Sequence, residues 1–202
     1  VNPRIDLVSS DPVMDQLRMQ KQPEEVQIMI RSQEIAGMGM ACAREALRPG
    51  VSAQEVAAEA LYVMMKAGAE GTSTPMHINF GASTSMLHGG LSLEPLKTGE
   101  MVVVDLTPQL EGYCANLART FVIGQPDDTQ RRLYDTYQEM VAATCSMMRP
   151  GLCVQELDNK GKEICTSRGF GEQHIDGISH GIGLRFEETP SPTIVRQHRK
   201  VL

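Results

Sequence analysis

The chain carries near its centre the stretch Met101-Val-Val-Val-Asp105-Leu-Thr-Pro-Gln-Leu-Glu-Gly112-Tyr-Cys-Ala-Asn116-Leu-Ala-Arg119-Thr120-Phe121, which predicts two strands joined by a turn. A two-residue turn at Leu110-Glu111 would place Asp105 directly opposite Asn116, with both side chains on one face of the hairpin. A one-residue bulge would break this match. The hairpin therefore predicts a carboxylate beside an amide oxygen donor.

A histidine followed by two glycines lies much later, in Ser179-His180-Gly181-Ile182-Gly183-Leu184. Glycine lets a second backbone segment approach closely. An Asp, an oxygen donor beside it and a distant His form a candidate site for metal binding or proton transfer. Structural roles are the alternatives: Asp105 could cap a turn, and His180 could stabilise its own loop.

Composition narrows the class of protein. The 202 residues are 41% hydrophobic, enough for a substantial core in one domain. Lys and Arg number 19 against 25 Asp and Glu, giving a net charge of -6, so we expect no binding to nucleic acid. The apolar run 57–65 is interrupted by Glu59 and is shorter than the roughly 20 residues of a membrane span, so we expect no membrane insertion.

The cysteines predict a reducing compartment. There are five of them, an odd number, and they lack the density of a disulfide scaffold or the close pairs of a zinc site. The first residues lack a basic stretch followed by an apolar core, so we expect no secretory signal and a cytoplasmic location. The chain begins with Val rather than Met, and we expect that upstream sequence is missing.

An internal repeat organises the chain. Arg48-Pro-Gly-Val-Ser-Ala-Gln-Glu-Val matches Arg149-Pro-Gly-Leu-Cys-Val-Gln-Glu-Leu at an offset of 101 residues, and the same offset relates Gly68 to Gly169. Each copy follows a helical pattern, the first starting at Pro23 and the second near Thr129. The expected buried stripes are Val26, Ile30, Ile35, Met38, Cys42 and Leu47 in the first helix, and Leu133, Tyr137, Met140, Val141 and Thr144 in the second.

After each Arg-Pro-Gly a second helix is expected, the first with a capping box formed by Ser52 and Glu55. Strands are predicted to follow at residues 75–80, 85–88, 101–107, 112–123 and 175–186. The order of helices and strands predicts an α+β domain with a two-fold-like repeat, in which duplicated helix pairs cover one face of a mostly antiparallel sheet. The other face of the sheet is then free to hold a site.

The chain resembles the pita-bread family of methionine aminopeptidase, aminopeptidase P, prolidase and creatinase. Over nearly its whole length it carries the family's elements in order: Asp105, position 116 eleven residues later, Gly112-Tyr113, Arg119-Thr120 and Ser179-His-Gly-Ile-Gly. Arg119-Thr-Phe and Leu17-Arg18-Met-Gln-Lys21 are more similar to aminopeptidase P and prolidase than to methionine aminopeptidase. The resemblance implies the pita-bread fold with a curved sheet, an entry segment at residues 1–22 that follows a missing N-terminal domain, and a catalytic-type domain at residues 23–202 that is incomplete at its C-terminal end.

The resemblance also implies a metal site. Peptidases of the family bind two divalent metals through two Asp, one His and two Glu, because two cations need several carboxylates to neutralise them. Asp105 matches the first Asp and His180 the His, whereas Asn116 replaces the second Asp and the two Glu are expected beyond Leu202. We therefore expect a degenerate site in which Asp105, Asn116 and His180 are the metal positions. Mn, Co, Zn or Fe is the implied metal, with reduced or absent occupancy.

Two further positions are implied to act on the substrate. His88, seventeen residues before Asp105, matches a histidine that contacts the substrate or relays protons, and His180 is expected to contact the substrate as well. Glu187 stands where the family's peptidases have a second active-site His. A carboxylate there can accept a proton but cannot donate the hydrogen bond that an imidazole gives to an oxyanion. Glu187 and Glu188 could also be plain surface charges.

The remaining histidines give weaker signals. His77 alternates with Ile78 in a strand, so we expect it to pack rather than to take part in chemistry, and we assign no role to His174 or His198.

Three hypotheses follow for the function. The first is a metal-dependent hydrolase of the Xaa-Pro peptidase type with a degenerate metal centre. The second is a creatinase-like hydrolase of a small molecule that works without metal and uses His88 as general acid and base. The third is a catalytically silent module that binds a peptide or protein. We favour a hydrolase with a peptide or small-molecule substrate, and the resemblance implies a homodimer.

Overall fold

The computed structural model describes residues 8–86, 88–175, 177 and 179–190. Its helices are α1 (Asp11–Met19), α2 (Pro23–Ala46), α3 (Ala53–Lys66), α4 (Asp128–Met147) and α5 (Val154–Ser167). Its strands are β1 (Gly71–Thr72), β2 (His77–Phe80), β3 (Met101–Leu106), β4 (Pro108–Leu110), β5 (Tyr113–Cys114) and β6 (Leu117–Val122). Within these residues, no helix combines the length and apolar character needed to cross a membrane.

Four of the five helices form two pairs, as the internal repeat predicts. α2 packs against α3, and α4 packs against α5. The Ser52 hydroxyl accepts a hydrogen bond from the Glu55 backbone N–H at the start of α3, which confirms the capping box. At the start of α4 the Asp127 carboxylate accepts the Gln130 backbone N–H in the same way.

Two three-stranded antiparallel sheets lie beside the first helix pair, in the orders β2-β3-β6 and β1-β4-β5. β3 continues into β4, and β5 continues into β6, so a single hairpin connects the two sheets. Val102, Val104 and Leu106 of β3 are fully buried in the core that α2 and α3 contribute to. Because side chains alternate across a strand, Asp105 must lie on the opposite face.

The turn of this hairpin differs from the prediction. It lies at Glu111-Gly112, where both φ angles are positive, at 49° and 79°. Such a pair of angles defines the type I′ turn that suits the twist of a hairpin, and glycine at the second position adopts it without strain. The predicted turn at Leu110-Glu111 was wrong by one residue, because Gly112 belongs inside the turn rather than after it.

Other strand predictions need correction. Residues 81–85 form a 3-10 helix, and no strand is present at the described positions of 85–88, because the hydroxyls of Ser83, Thr84 and Ser85 donate to carbonyls three residues earlier. The expected strand 175–186 is reduced to a single bridge, Gly181 to Glu188, in the part of this segment that is described. The continuation expected around residues 196–200 lies outside the described residues.

The buried stripes of the long helices also differ from the prediction. Val26, Ile30 and Met38 of α2 are exposed, and α2 instead buries mostly small residues, namely Ser32, Ile35, Ala36, Gly39, Met40, Ala43 and Ala46. In α4, Met140 and Thr144 are buried as expected, but Leu133, Tyr137 and Val141 are exposed. Small residues let α2 approach α3 and the sheet closely.

Gly39 and Gly37 of α2 give a matched test of this close approach. A methyl group on Gly39 would lie 2.6 Å from Cγ of Met64, which is fully buried, whereas one on Gly37 would meet nothing within 4 Å. We expect Gly39→Ala to destabilise the fold by about 1–3 kcal/mol through overpacking. Gly37→Ala should stabilise it by up to about 1 kcal/mol, because alanine is the better helix former. Urea unfolding of both variants measures the difference, and equal effects would contradict the packing described here.

Candidate functional site

The site is built around Asp105, in the central strand of its sheet. Asp105 lies opposite His77 of β2 on one side and opposite Ala118 of β6 on the other. The carboxylate is half-buried on the face of the sheet that points away from α2 and α3. The two neighbouring strands therefore determine which side chains surround it.

Asn116 reaches Asp105 from the gap between β5 and β6. Its Nδ2 donates a hydrogen bond of 2.7 Å to Oδ1 of Asp105. The predicted direct opposition of these two residues was wrong, because the turn at Glu111-Gly112 moves the register so that Ala118 faces Asp105. The prediction that both lie on one face is confirmed, since Asn116 is two residues from Ala118 and the period of a strand is two.

Three imidazoles lie close to this pair. Burial raises the pKa of the Asp105 carboxyl above its ordinary value. The hydrogen bond from Asn116 and the positive fields of His77, His180 and His88 oppose that rise in pKa. The structure thus brings together His88, Asp105, Asn116 and His180, and it adds His77, which the sequence predicted only as a packing residue.

His180 lies in a loop that closes on itself. Its ring packs edge-on against Phe186, with 5.0 Å between centroids, and Nδ1 lies 2.9 Å from the carbonyl oxygen of Gly181. Because a carbonyl oxygen only accepts, Nδ1 carries a proton, and in the neutral ring the lone pair lies on Nε2. The loop is closed by the Gly181 N–H, which donates to Glu188 O, and by the Glu188 N–H, which donates to Gly181 O.

Glu188 connects this loop to α1 and to the segment that follows it. Its carboxylate is almost fully buried and forms ion pairs with Arg18 of α1 and with Lys21, the latter at 3.1 Å. Thr189 adds a hydrogen bond from its hydroxyl to Asp15 of α1, at 3.1 Å. The alternative of a plain surface charge is therefore wrong for Glu188, which instead links α1 to the loop of His180.

Glu187 has a different environment from Glu188. It is exposed in the same loop, whereas the carboxylate of Glu188 is almost fully buried. Its expected catalytic role stays a prediction.

The described residues do not fit a centre of two divalent cations. Around Asp105 they supply one carboxylate, imidazoles and an amide whose N–H, rather than its oxygen, is directed at the carboxylate. Two cations need several carboxylates for charge balance. Within the described part of the chain, no group of three or more His, Cys, Asp or Glu is arranged to hold a metal ion.

His77 is the residue that sequence reasoning missed. Its alternation with the buried Ile78 is the same for a packing residue and for a residue on the site face. The only available signal was its place in the strand that pairs with β3. Its position opposite Asp105 follows only once the register of that strand pair is known. The ring is half-buried, and Nδ1 lies 3.0 Å from the carbonyl oxygen of Gly89.

The buried ion pairs of Glu188 can be tested by mutation. Glu188→Gln removes the charge that Arg18 and Lys21 compensate, and we expect a loss of about 2 kcal/mol in the free energy of unfolding. The matched control is Glu139→Gln, since Glu139 pairs with Arg168 while 43% of its side chain is exposed. Such an exposed pair contributes about 0–1 kcal/mol. Denaturant unfolding compares the two, and an equal loss for both would contradict the structural role of Glu188.

The raised pKa of Asp105 gives a second test. Because burial raises this pKa, ionisation of Asp105 is less favourable in the folded than in the unfolded state, so the contribution of Asp105 to stability is fully present below the unfolded pKa and is lost as pH rises through the folded pKa. Asn116→Ala removes a donor to the charged form and should raise the pKa of Asp105 further. Carboxyl ¹³C NMR titration of chelator-treated protein measures it, with Asn159→Ala on α5 as control. An unchanged or lower pKa would contradict the described hydrogen bond.

Comparisons with known proteins give the context of this site. A Xaa-Pro dipeptidase of Pyrococcus furiosus is 33% identical over 180 residues, which cover 89% of this chain and 52% of that protein. The solved structure of prolidase from the same organism matches with a TM-score of 0.91 at 32% identity, covering 96% of this chain and 57% of that one. The X-Pro aminopeptidase of Thermotoga maritima matches with a TM-score of 0.87 at 28% identity, covering 95% of this chain and 54% of that one.

These matches confirm the predicted pita-bread fold of the α+β class. The chain spans about half the length of the relatives it matches. The family model for metallopeptidase family M24 matches residues 27–202, which is most of the chain and includes Asp105, Asn116 and His180. The chain therefore belongs to metallopeptidase family M24.

Proposed function

We propose that the protein of which this chain is a part is a hydrolase of the Xaa-Pro peptidase type with a degenerate metal centre. The observation that carries the proposal is the convergence of His88 and His180 on the Asp105–Asn116 pair. These residues come from three separate parts of the chain. The named peptidase activity of its relatives supplies the substrate class, a dipeptide or short peptide with proline after the scissile bond.

The proposed roles follow from position and chemistry. His88 is exposed beside the half-buried carboxylate of Asp105, so it can reach a bound substrate and exchange a proton with it. His180 directs its protonated Nδ1 at a backbone carbonyl, which leaves the lone pair of Nε2 for a substrate N–H or a metal. Asp105 and Asn116 supply the remaining atoms that could contact a metal ion. Glu187 is proposed as an accessory acid–base group.

The metal content is part of the proposal. A divalent cation such as Mn, Co, Zn or Fe would supply Lewis-acid activation of the substrate carbonyl in an M24 peptidase. The neutral amide of Asn116, at the position where the family's peptidases carry a second Asp, supports reduced occupancy compared with a complete two-metal centre. We assign Asp105, Asn116 and His180 as the positions that would contact such a cation.

The wider setting is proposed on the same basis. We propose a cytoplasmic homodimer with an entry segment at residues 1–22 and a catalytic-type domain that starts at residue 23. Cys42, Cys114 and Cys165 are free thiols, as expected in a reducing compartment. Burial raises the pKa of each of these thiols, which lowers its reactivity. Sedimentation analysis of the full-length protein tests the dimer.

The direct test pairs an assay with elemental analysis. Freshly purified full-length protein should hydrolyse Xaa-Pro dipeptides faster than matched Xaa-Ala dipeptides and should contain fewer than two tightly held metal ions per chain. His88→Ala should lower kcat by about 10²-fold or more, the usual contribution of a positioned acid or base. His174→Ala, at an imidazole without an assigned role, is the matched control.

The possible outcomes separate the hypotheses. Two tightly held metal ions per chain would overturn the degenerate centre. The same conclusion would follow if the wild type bound a full complement of metal with the same affinity as the Asn116→Asp variant. Turnover of small amidino compounds that survives a chelator would favour creatinase-like chemistry. Binding of Xaa-Pro peptides without turnover would favour the silent binding module.

A further inference from the structure

Strand β2 presents two polar side chains on the face that carries the site. His77 and Asn79 are two residues apart and therefore point to the same side, whereas Ile78 between them is buried in the core. His77 lies directly opposite Asp105 across the strand pair. Asn79 is only 2% exposed, which makes it one of the few buried polar residues in the described chain.

Both side chains hold the backbone on either side of His88. Nδ1 of His77 lies 3.0 Å from the carbonyl oxygen of Gly89, one residue after His88. Nδ2 of Asn79 donates to the carbonyl oxygen of Met86, two residues before His88, at 3.2 Å. Two side chains of one strand, His77 and Asn79, thus form hydrogen bonds with the backbone before and after His88.

The contact at Gly89 is close. A methyl group there would lie 2.2 Å from Oδ1 of Asn79, so the backbone at this point lies directly against the Asn79 side chain. The rings of His77 and His88 also approach each other, with 5.1 Å between their centroids. His88 is therefore held by the backbone bonds on its flanks and by a ring contact, although its own side chain is exposed.

From this geometry we infer that His77 is a positioning residue, which holds His88 beside Asp105 by donating its Nδ1–H to the carbonyl of Gly89. The inference rests on the proposed function, because it assumes that His88 acts on the substrate. The direction of the hydrogen bond follows from chemistry: the carbonyl only accepts, so Nδ1 carries the proton that it donates.

Positioning matters because His88 lies outside regular secondary structure. Ordering the backbone of a residue costs conformational entropy, which a free loop would have to lose on every substrate encounter. A displacement of about 1 Å can lower a rate by about 10²-fold. A pair of hydrogen bonds from a rigid strand removes most of this freedom in advance.

Two substitutions separate the donor from the ring. His77→Asn places an amide N–H close to the position of Nδ1 and removes the imidazole, whereas His77→Phe keeps a ring of similar size and removes the donor. We expect His77→Asn to retain kcat for Xaa-Pro dipeptides within about threefold and His77→Phe to lose about 10- to 100-fold in kcat, with KM nearly unchanged. Thermal melting verifies folding, and His77→Leu replaces His77→Phe if the latter does not fold.

The second measurement is independent of activity. In ¹H–¹³C NMR spectra of the full-length protein, the Cε1–H signal of His88 should stay dispersed in the wild type and in His77→Asn. It should shift toward the position of free histidine or broaden in His77→Phe. This result stands even if the wild type does not hydrolyse Xaa-Pro peptides, so failure of the proposed function and failure of the positioning role are distinguishable.

Two outcomes would overturn the inference. If His77→Asn lost as much activity as His77→Phe, the imidazole of His77 would itself act on the substrate. If His77→Phe kept both full activity and the wild-type His88 signal, the bond to Gly89 would have no positioning role.

Discussion

The pairing of β3 with a strand on each side is the constraint on which the rest of the site depends. Val102, Val104 and Leu106 are all fully buried, and a slip of one residue would turn them toward solvent and Asp105 into the core. The apolar residues therefore fix the orientation of the only carboxylate in the described cluster. Every other member of the cluster is placed relative to it, His77 and Asn116 through the sheet and His88 and His180 through loops.

Much of this arrangement could be predicted from the sequence, because it depends on local patterns. The repeated Arg-Pro-Gly ends of the helices and the Ser52–Glu55 capping box define the helix pairs without reference to the rest of the chain. The alternation of valines with Asp105 places the carboxylate on the face opposite the core. His88 and His180 were identified through resemblance to a family, since no local pattern connects residues so far apart in sequence.

The remaining features depend on contacts that local patterns do not encode. The register of the hairpin depends on Glu111, which adopts a positive φ although most residues avoid it, so the turn could equally be placed one residue earlier. The buried stripe of α2 consists mainly of small residues, and a search for large apolar side chains therefore selected exposed ones. The importance of His77 emerges only once β2 is paired with β3.

The buried carboxylate of Glu188 has a practical consequence for how this protein can be dissected. α1 buries no residue of its own, and on sequence grounds it would be trimmed away as a peripheral linker. Yet Arg18 and Lys21 neutralise the carboxylate of Glu188, which is shielded from water. Cutting the chain at Pro23 would remove both cations and leave this buried charge uncompensated in the loop of His180. Expression boundaries for isolated fragments should therefore be drawn upstream of Asp11.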